Sequence, residues 1–483
     1  HAANESREEK KERKKGKGVG KKKKRGGGRE KALRAIAFAL EKEDEELLAR
    51  LLESPAADPS HALPSGAYPL QEAVKKGSFR MVRVLTKAGA SPLLGSPPPL
   101  LLSACSSRPD IFELLVSHLS AEELNTPADS GETPLMAASI SGKNDNIKML
   151  LRYGADLNVA SGPMGGMTAL HAAIGDTPQP ATIQLLIELG SNVNAVVVLP
   201  SGDGLTPLML ASAKGSALAV DLLLEGGASV SKRKNKSGAT ALHIAVKGFH
   251  LQILKSLIRA GADVNATDAE GTTPLIECAK LKPSSPAQAR ARFLVLSFLL
   301  GEGADANKVD ERHKRTALHY LCINGGDNCA NAVKLLLSSG ADIDARSEEN
   351  LTPIVMAVHQ GALQLVKLLL EQGADIVTPV GSAGVSLVHV AATYARISIL
   401  EYLLEQVDEV DVDDCSQCGV PPLSLAVWKD KVEVVECLLR YGANPLLKAR
   451  NSSPFEEAIK AGRVDYIRLM SLHCPQVKKA WFG

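Results

Sequence analysis

Aromatic residues are scarce in this chain. Of its 483 residues only 4% are Phe, Trp or Tyr, and there are two Trp. A β-sandwich or β-barrel normally contains more aromatic and β-branched residues, so these folds are disfavoured. Hydrophobic residues make up 45% and charged residues 23%, which excludes disorder throughout the chain. The abundance of Gly, Ala and Leu favours helices packed closely through small side chains.

Long hydrophobic runs are also absent. The longest, FLVLSFLL at 293–300, is far shorter than the ~18–20 residues that cross a bilayer, so no membrane span is predicted. The N-terminal residues are polar and basic, and without an apolar segment they predict no secretory signal. The chain begins with His1 rather than Met, so we expect a fragment or a processed terminus. A cytoplasmic or nuclear location, or both, is expected.

Cysteines are few and irregularly placed. The eight cysteines lack the dense spacing of a disulfide scaffold, which favours a reducing compartment. Cys415 and Cys418 form a single CxxC, but a zinc site needs two further ligands, and the only local candidates are His389 and Cys437. Two ordinary thiols are the simpler interpretation.

Motifs of catalysis are missing. The sequence has no GxxxxGKS/T phosphate loop, no HExxH, no GxSxG and no kinase motif set. We therefore predict that the chain is not an enzyme and uses neither a cofactor nor a metal.

What the chain does contain is a repeated four-residue block. Blocks related to Thr-Pro-Leu-His or Thr-Ala-Leu-His begin at residues 68, 98, 133, 168, 206, 240, 273, 316, 352, 386, 421 and 453. The period is about 33 residues, with insertions. A fixed period of this length indicates a solenoid of stacked units.

Each period predicts a helix, a turn, a second helix and a projecting loop. Thr133 is suited to accept a backbone N–H at a helix start, and Pro134 fits the first helical turn. The second helix ends in a Gly-Ala-Asp-like turn, where Gly154, Gly261 and Gly373 can adopt the left-handed conformation at little cost. One unit cannot bury its apolar stripe alone, so stacking supplies the stability.

These blocks and turns resemble the ankyrin-repeat family, in which a TPLH helix start precedes a GADVN-type turn. The resemblance covers residues 68–483, and a further helix pair at 30–59 makes about thirteen units. It implies an all-α ankyrin-repeat solenoid with projecting β-hairpin-like loops. We expect a basic disordered tail at 1–29, an N-terminal capping helix pair at 30–62, ankyrin repeats at 63–452 and a C-terminal capping repeat at 453–483.

The sequence departs from the family pattern in several places. The largest insertion, KLKPSSPAQARAR at 280–292, separates the two helices of one unit. Insertions in solenoids fall on loops, which either drift neutrally or carry binding specificity. Phe249, Ala395 and Asp430 stand where the family usually has the Gly between its two helices.

Two sets of polar residues recur with the repeat: the motif histidines His171, His243, His319 and His389, and the turn asparagines Asn158, Asn194 and Asn265. The histidines lie a repeat apart, too distant to share a zinc ion, and in the family this His makes structural hydrogen bonds. Each asparagine follows a Leu by eight residues, which resembles the context in which asparaginyl hydroxylase modifies ankyrin repeats. Turn geometry alone also accounts for the asparagines.

The strongest feature outside the repeats is a basic segment. Residues 10–29 hold twelve Lys or Arg and one acid, a net charge of +11, and the other residues hold 44 basic and 53 acidic groups, a net of −9. Such a segment cannot bury a core and is predicted to be disordered. It is compatible with a nucleic-acid phosphate arm, contact with an anionic membrane, a solubilising tail, or a nuclear-import signal formed by Lys21, Lys22, Lys23, Lys24 and Arg25.

In the family, partners bind a concave groove lined by loop tips and by the exposed face of each first helix. The groove positions, seven or eight residues after a block start, include Lys75, Lys76, Lys214, Lys247, Lys280, His359, Tyr394, Trp428, Lys429 and Lys460. They predict a basic stripe that suits an acidic peptide or protein segment, with Trp428 as an aromatic anchor. Lysines kept for solubility, and a Trp428 folded against its neighbour, are the alternative.

The predicted function is a non-enzymatic scaffold or adaptor that binds a protein partner through the groove and loop tips. The alternative is a nucleic-acid or ribonucleoprotein-associated factor that contacts phosphates through the basic tail. The partner and the oligomeric state stay open at this level.

Overall fold

The computed structural model describes residues 28–161, 166–198, 202–324, 329–408, 410–415, 417, 419–449 and 451–482. The chain divides into two compact units, an N-terminal unit of residues 1–229 and a C-terminal unit of residues 230–483. The predicted import signal at residues 21–25 lies outside the described residues, as does most of the basic tail.

The described part of the N-terminal unit consists of six helix pairs, one single helix and a short hairpin. The helices are α1 (28–42), α2 (Glu45–Leu52), α3 (Pro69–Lys76), α4 (Phe79–Lys87), α5 (Pro99–Ala104), α6 (Pro109–Val116), α7 (Ala121–Asn125), α8 (Pro134–Ile140), α9 (Asn144–Arg152), α10 (Ala169–Ile174), α11 (Pro180–Glu188), α12 (Pro207–Lys214) and α13 (Ala217–Glu225). Between α11 and α12, strands β1 (Val197–Val198) and β2 (Gly204–Leu205) pair antiparallel.

The described part of the C-terminal unit consists of seven helix pairs and a final helix. These are α14 (Ala241–Lys247), α15 (Leu251–Arg259), α16 (Pro274–Lys280), α17 (Pro286–Gly301), α18 (Ala317–Asn324), α19 (Ala330–Ser338), α20 (Pro353–Gln360), α21 (Leu363–Glu371), α22 (Leu387–Thr393), α23 (Ile397–Gln406), α24 (Pro422–Trp428), α25 (Val432–Arg440), α26 (Pro454–Lys460), α27 (Val464–His473) and α28 (Pro475–Phe482). The all-α repeat architecture predicted from the sequence is confirmed.

The first helices begin at the repeated block. Thr133, Thr206 and Thr273 each accept the N–H of the third helical residue at 3.3 Å, and a Pro occupies the first helical position. The side-chain oxygen satisfies one of the amide donors that a helix start leaves unpaired, and the Pro removes another.

The departures from the family pattern lie at the corners between helices. Gly154, after a second helix, has φ 94°, as a left-handed turn requires. At the corner between the two helices of a pair, Phe249, Ala395 and Asp430 have φ of 53°, 52° and 58°. A side chain in this region costs roughly 1–2 kcal/mol, so these three repeats hold a strain that their glycine-bearing neighbours avoid.

Backbone hydrogen bonds join successive loops of the C-terminal unit. The N–H groups of Ala269, Glu311, Glu348, Gly381 and Gln417 donate to the carbonyls of Ser237, Glu270, His313, Asn350 and Gly384, at 2.7–3.1 Å. Each donor lies one repeat beyond its acceptor. The five bonds form what we call the loop ladder.

Two expectations need correction. Gly28 and Arg29, assigned to the disordered tail, are helical, and Arg29 is held by a 3.2 Å hydrogen bond to His61. The insertion at 280–292 is not a loop throughout, because α17 starts at Pro286 with Ser285 as its cap. Ala and Arg are strong helix formers, so ARAR extends the helix. The helices α7 and α28 were not predicted.

Within the described residues, every helix is too short or too polar to cross a membrane.

Candidate partner-binding site

The predicted groove residues occupy the last turn or the C-cap of the first helix of each pair: Lys214 of α12, Lys247 of α14, Lys280 of α16, His359 of α20, Tyr394 of α22, and Trp428 and Lys429 of α24. Lys214 belongs to the N-terminal unit and the other six belong to the C-terminal unit. The C-terminal unit therefore carries most of the predicted site.

Three lysines of the predicted basic stripe have partners within the protein. Lys214 pairs with Asp176, and the Lys247 ammonium lies 3.3 Å from the Glu277 carboxylate. Lys280 donates to the Thr272 hydroxyl at 2.9 Å and lies 5.1 Å from the centre of the Tyr320 ring. Each of these three ammonium groups has a partner within the protein, so they do not form a stripe of unpaired positive charge.

A surface pocket of about 450 Å³ lies among α18, α20 and α22. Its apolar lining includes Ile323, Val355, Met356 and Val390, and the last three are at most 8% exposed. Pockets of this volume, apolar with a few polar groups, are typical binding sites. We call it the groove pocket.

The rim of the groove pocket contains two of the predicted site residues. His359 and Tyr394 both line it, and their rings meet edge to face with centroids 4.2 Å apart. Tyr394 is 47% exposed. On another side of the rim, an Arg315 guanidinium nitrogen lies 3.5 Å from a carboxylate oxygen of Glu349. The pocket thus combines an apolar floor with an aromatic pair and a charged pair.

One repeat further along, Trp428 and Lys429 remain available at the surface. Trp428 is 45% exposed, close to the exposure of Tyr394, so it is not folded down against its neighbour. Among the described residues, no carboxylate lies within 4.0 Å of the Lys429 ammonium. The two aromatics and Lys429 occupy equivalent ends of α22 and α24.

The motif histidines are structural. His243 Nδ1 accepts from the backbone N–H of Thr240 at 3.3 Å, and its Nε2 lies 2.9 Å from the carbonyl oxygen of Thr272 in the next repeat. This pattern requires a neutral ring that donates from Nε2. His171, His319 and His389 repeat it with the carbonyls of Leu205, Leu351 and Val420.

Burial keeps these rings neutral. It lowers the pKa of His171 to about 4, against a weaker opposing effect of the Leu205 hydrogen bond. Burial also lowers the pKa of His243, His319 and His389. A desolvated imidazole disfavours the charged form, so these groups do not serve as surface proton donors at neutral pH.

The turn asparagines bridge neighbouring repeats. Asn265 Oδ1 accepts the N–H of Asp305 at 2.8 Å, and its Nδ2 donates to the Gly303 carbonyl at 3.1 Å. Asn194 makes the same two kinds of bond, to Ser229 and Gly227. Turn geometry accounts for these residues, and their hydroxylation stays a prediction.

The CxxC is described only at its first thiol. Cys415 is half-buried and Cys418 lies outside the described residues. In the part of the chain that the structure describes, no group of three or more His, Cys, Asp or Glu side chains could hold a metal ion.

A second pocket, in the N-terminal unit, was not found from the sequence. It measures about 700 Å³ and is lined by residues that include Tyr68, Leu94, Pro98 and Pro127. The proline-rich run at 97–99 was the available signal, because proline fixes φ and Pro98 is extended, with ψ 149°, directly before α5 begins at Pro99.

A family profile described as "Ankyrin repeats (3 copies)" matches residues 100–197, 158–234, 177–268, 208–285 and 287–380, and a second, "Ankyrin repeat", matches 418–450. Together the matches cover well over half of the chain.

Curated relatives give the same result. The chain is similar to human Ankyrin repeat and SOCS box protein 16, with 32% identity over 264 residues, covering 53% of this chain and 55% of that protein. It is similar to the Arabidopsis thaliana E3 ubiquitin-protein ligase KEG, with 27% identity covering 68% of this chain and 21% of that protein. Human Transient receptor potential cation channel subfamily A member 1 matches at 24% identity over 84% of this chain and 39% of its own length. The chain spans about half or less of these relatives.

Proposed function

The chain belongs to the ankyrin-repeat family, and on that premise we propose that its C-terminal unit binds an extended segment of a partner protein in the groove pocket. Ankyrin repeats are protein-interaction scaffolds, and this general role holds for the chain. Ankyrin-repeat proteins are generally adaptors without enzymatic activity, and an adaptor without catalysis is our proposal here as well.

The groove pocket is the observation that carries the proposal. Its volume of about 450 Å³ accommodates bulky side chains, and Val355, Met356 and Val390 give it an apolar floor. Aromatic residues at the rim of an apolar pocket are frequent centres of binding energy because they bury large areas with few rotatable bonds. Tyr394 and His359 occupy that place.

The partner segment is apolar rather than mainly acidic. Lys214, Lys247 and Lys280, which would have attracted an acidic chain, have partners within the protein. Lys429, beside Trp428, is the groove position that suits one acidic residue of the partner. The segment we propose inserts large apolar side chains at His359 and Tyr394 and places an acidic residue toward Lys429.

Selection of random peptides on the whole chain tests this function. We expect enrichment of peptides with large aliphatic or aromatic residues, and at least a tenfold loss of their affinity in Tyr394→Ala, about 1.4 kcal/mol or more. Tyr153→Ala is the matched control, since Tyr153 is an exposed tyrosine at the end of α9 in the N-terminal unit. Peptides that bind both variants equally well would place the binding surface elsewhere.

The nucleic-acid alternative is separated by a deletion. Removing residues 1–29 should leave the affinity of the selected peptides unchanged, because these residues supply none of the groove pocket. Nuclease treatment should likewise have no effect. A loss of binding in either experiment would favour phosphate contacts through the basic tail, which depend strongly on salt.

A further inference from the structure

Arg396 reaches the rim of the groove pocket although it does not line the pocket itself. It is the N-cap residue of α23, and its Nε and Nη2 donate to the carbonyl oxygen of His359 at 3.1 and 2.6 Å. His359 is the next-to-last residue of α20, so its carbonyl is one of those that a helix end leaves without an intrahelical partner. A guanidinium suits this place because it brings two charged donors to the negative end of the helix.

Two side chains from one helix corner meet on His359. Tyr394 is the C-cap residue of α22, and its ring stands edge to face with the His359 ring at a centroid distance of 4.2 Å. Ala395, with φ 52°, makes the left-handed turn that leads to Arg396. His359 thus receives both contacts, from Tyr394 at its ring and from Arg396 at its backbone.

The charge of Arg396 has no competing partner at this corner. Among the described residues, no carboxylate oxygen lies within 4.0 Å of its guanidinium. Gly361, the left-handed C-cap of α20, leaves room for the half-buried side chain, since a Cβ at Gly361 would lie 3.1 Å from Nη1. Arg396 is therefore packed against the end of α20 as well as hydrogen-bonded to it.

We propose that Arg396 is a positioning residue of the groove pocket, which holds the His359 and Tyr394 rings in the arrangement that receives a large apolar side chain of the partner. The inference rests on the proposed function, because it concerns the same pocket. A site whose side chains are ordered before binding loses less conformational freedom when the ligand arrives. Without Arg396 the partner would have to order both rings itself, so its affinity would fall.

The N-terminal unit contains a corner of the same kind without the rings. Arg108, the N-cap residue of α6, donates from Nη1 to the carbonyl of Gly77 at 2.8 Å, and Gly77 is the C-cap residue of α3. Gly77 has no side chain, and Arg108 lines neither of the two pockets. Its ion pair with Asp110 lies within its own repeat. Arg108→Met therefore removes the same kind of bond between repeats and is the matched control.

Fluorine NMR tests the ring pair in the absence of any peptide. The full chain is labelled with 3-fluorotyrosine, and the Tyr394 signal is identified by its absence in Tyr394→Phe. His359→Ala should shift this signal, because it removes the neighbouring ring. We expect Arg396→Met to shift it at least half as far, Arg396→Lys less far, and Arg108→Met not at all. A Tyr394 signal that stays in place in His359→Ala or in Arg396→Met overturns the proposal.

The affinity of the peptides selected on the whole chain tests the consequence for binding. We expect Arg396→Met to weaken binding about fivefold, Arg396→Lys, which keeps the charge, about twofold, and Arg108→Met not measurably. In the Tyr394→Ala background, Arg396→Met should cause no further loss, because Arg396 acts through that ring. Equal losses in the wild-type and Tyr394→Ala backgrounds would mean that Arg396 acts by another route, and would contradict the proposal.

The two measurements separate this inference from the proposed function. If no peptide is selected, the proposed function fails, and the fluorine shift alone then supports or contradicts the hold of Arg396 on the rings. If peptides bind through Tyr394 but Arg396→Met leaves their affinity unchanged, the proposed function stands and the inference fails. Thermal unfolding shows which variants are folded, and should Arg396→Met not fold, Arg396→Lys carries both measurements.

Discussion

The two units are built from the same repeat but differ in how their loops are held. In the C-terminal unit the loop ladder joins successive loops by main-chain bonds of 2.7–3.1 Å. The described loops of the N-terminal unit contain no bond of this kind, and they carry the additions α7 and the β1–β2 hairpin. The groove pocket of the C-terminal unit lies among helices, whereas the pocket at Tyr68 in the N-terminal unit is lined in part by loop residues such as Leu94 and Pro127.

A fall in pH is expected to produce the largest difference between the two units in the free energy of unfolding. The N-terminal unit contains one motif histidine, His171, and the C-terminal unit contains three, all with a pKa lowered by burial. As the pH falls below about 6.5, the unfolded chain takes up protons that the folded chain does not, so the free energy of unfolding decreases. For His171, with a pKa of about 4, the loss between pH 7 and pH 5 is about 2 kcal/mol. The three histidines of the C-terminal unit act in the same direction.

Urea unfolding at both pH values measures this difference. Both tryptophans lie in the C-terminal unit, so their fluorescence follows that unit, and hydrogen exchange of α8–α11 follows the other. If the C-terminal unit loses no more stability than the N-terminal unit between pH 7 and pH 5, the expected difference between the units is wrong.

Hydrogen exchange tests the loop ladder directly. The amides of Ala269, Glu311 and Glu348 donate between repeats, so we expect them to exchange at least ten times more slowly than the amide of Asp129. Asp129 lies four residues before the block at Thr133, the equivalent loop position in the N-terminal unit. Equal exchange at residue resolution would mean that the bonds open too readily to distinguish the units.

Exchanging alanine and glycine at a helix corner is expected to give the smallest change in the free energy of unfolding. Ala395→Gly should raise the free energy of unfolding of the C-terminal unit by about 0.5–1 kcal/mol, since φ of 52° is strained for alanine. Gly77→Ala in the N-terminal unit should lower it by about 1 kcal/mol. Gly77 has φ 70°, and an added Cβ would meet only Arg108 at 3.7 Å. Thermal unfolding of both variants checks the signs, and two changes of the same sign would refute the strain argument.

Features set by nearby residues could be predicted from the sequence. The Thr-Pro helix starts, the glycine turns and the odd corners at Phe249, Ala395 and Asp430 all depend on contacts within a few positions, and the structure contains each of them. The histidine role came from family resemblance, and the hydrogen bond to the next repeat confirms it. The placement of Tyr394 and Trp428 at the surface followed from counting along the helix.

Features that depend on the next repeat could not be predicted. Lys247 seemed free to bind an acidic partner because Glu277, which pairs with it, lies 30 residues away in sequence. Arg292 looked like part of a polar loop, and only the fold shows it buried against Cys329. The groove pocket needs side chains from three repeats, whose convergence a linear pattern does not specify.

The loop ladder also bears on how the sequence can vary. Its bonds use only main-chain N–H and C=O groups, and its donors are an alanine, two glutamates, a glycine and a glutamine. A substitution at Ala269, Glu311, Glu348 or Gln417, other than proline, leaves the donor in place, whereas Gly381 has φ 72° and is restricted to glycine-like conformations. The side chains at the loop tips of the C-terminal unit can therefore vary during evolution, while the main-chain bonds that set the spacing of the tips are kept.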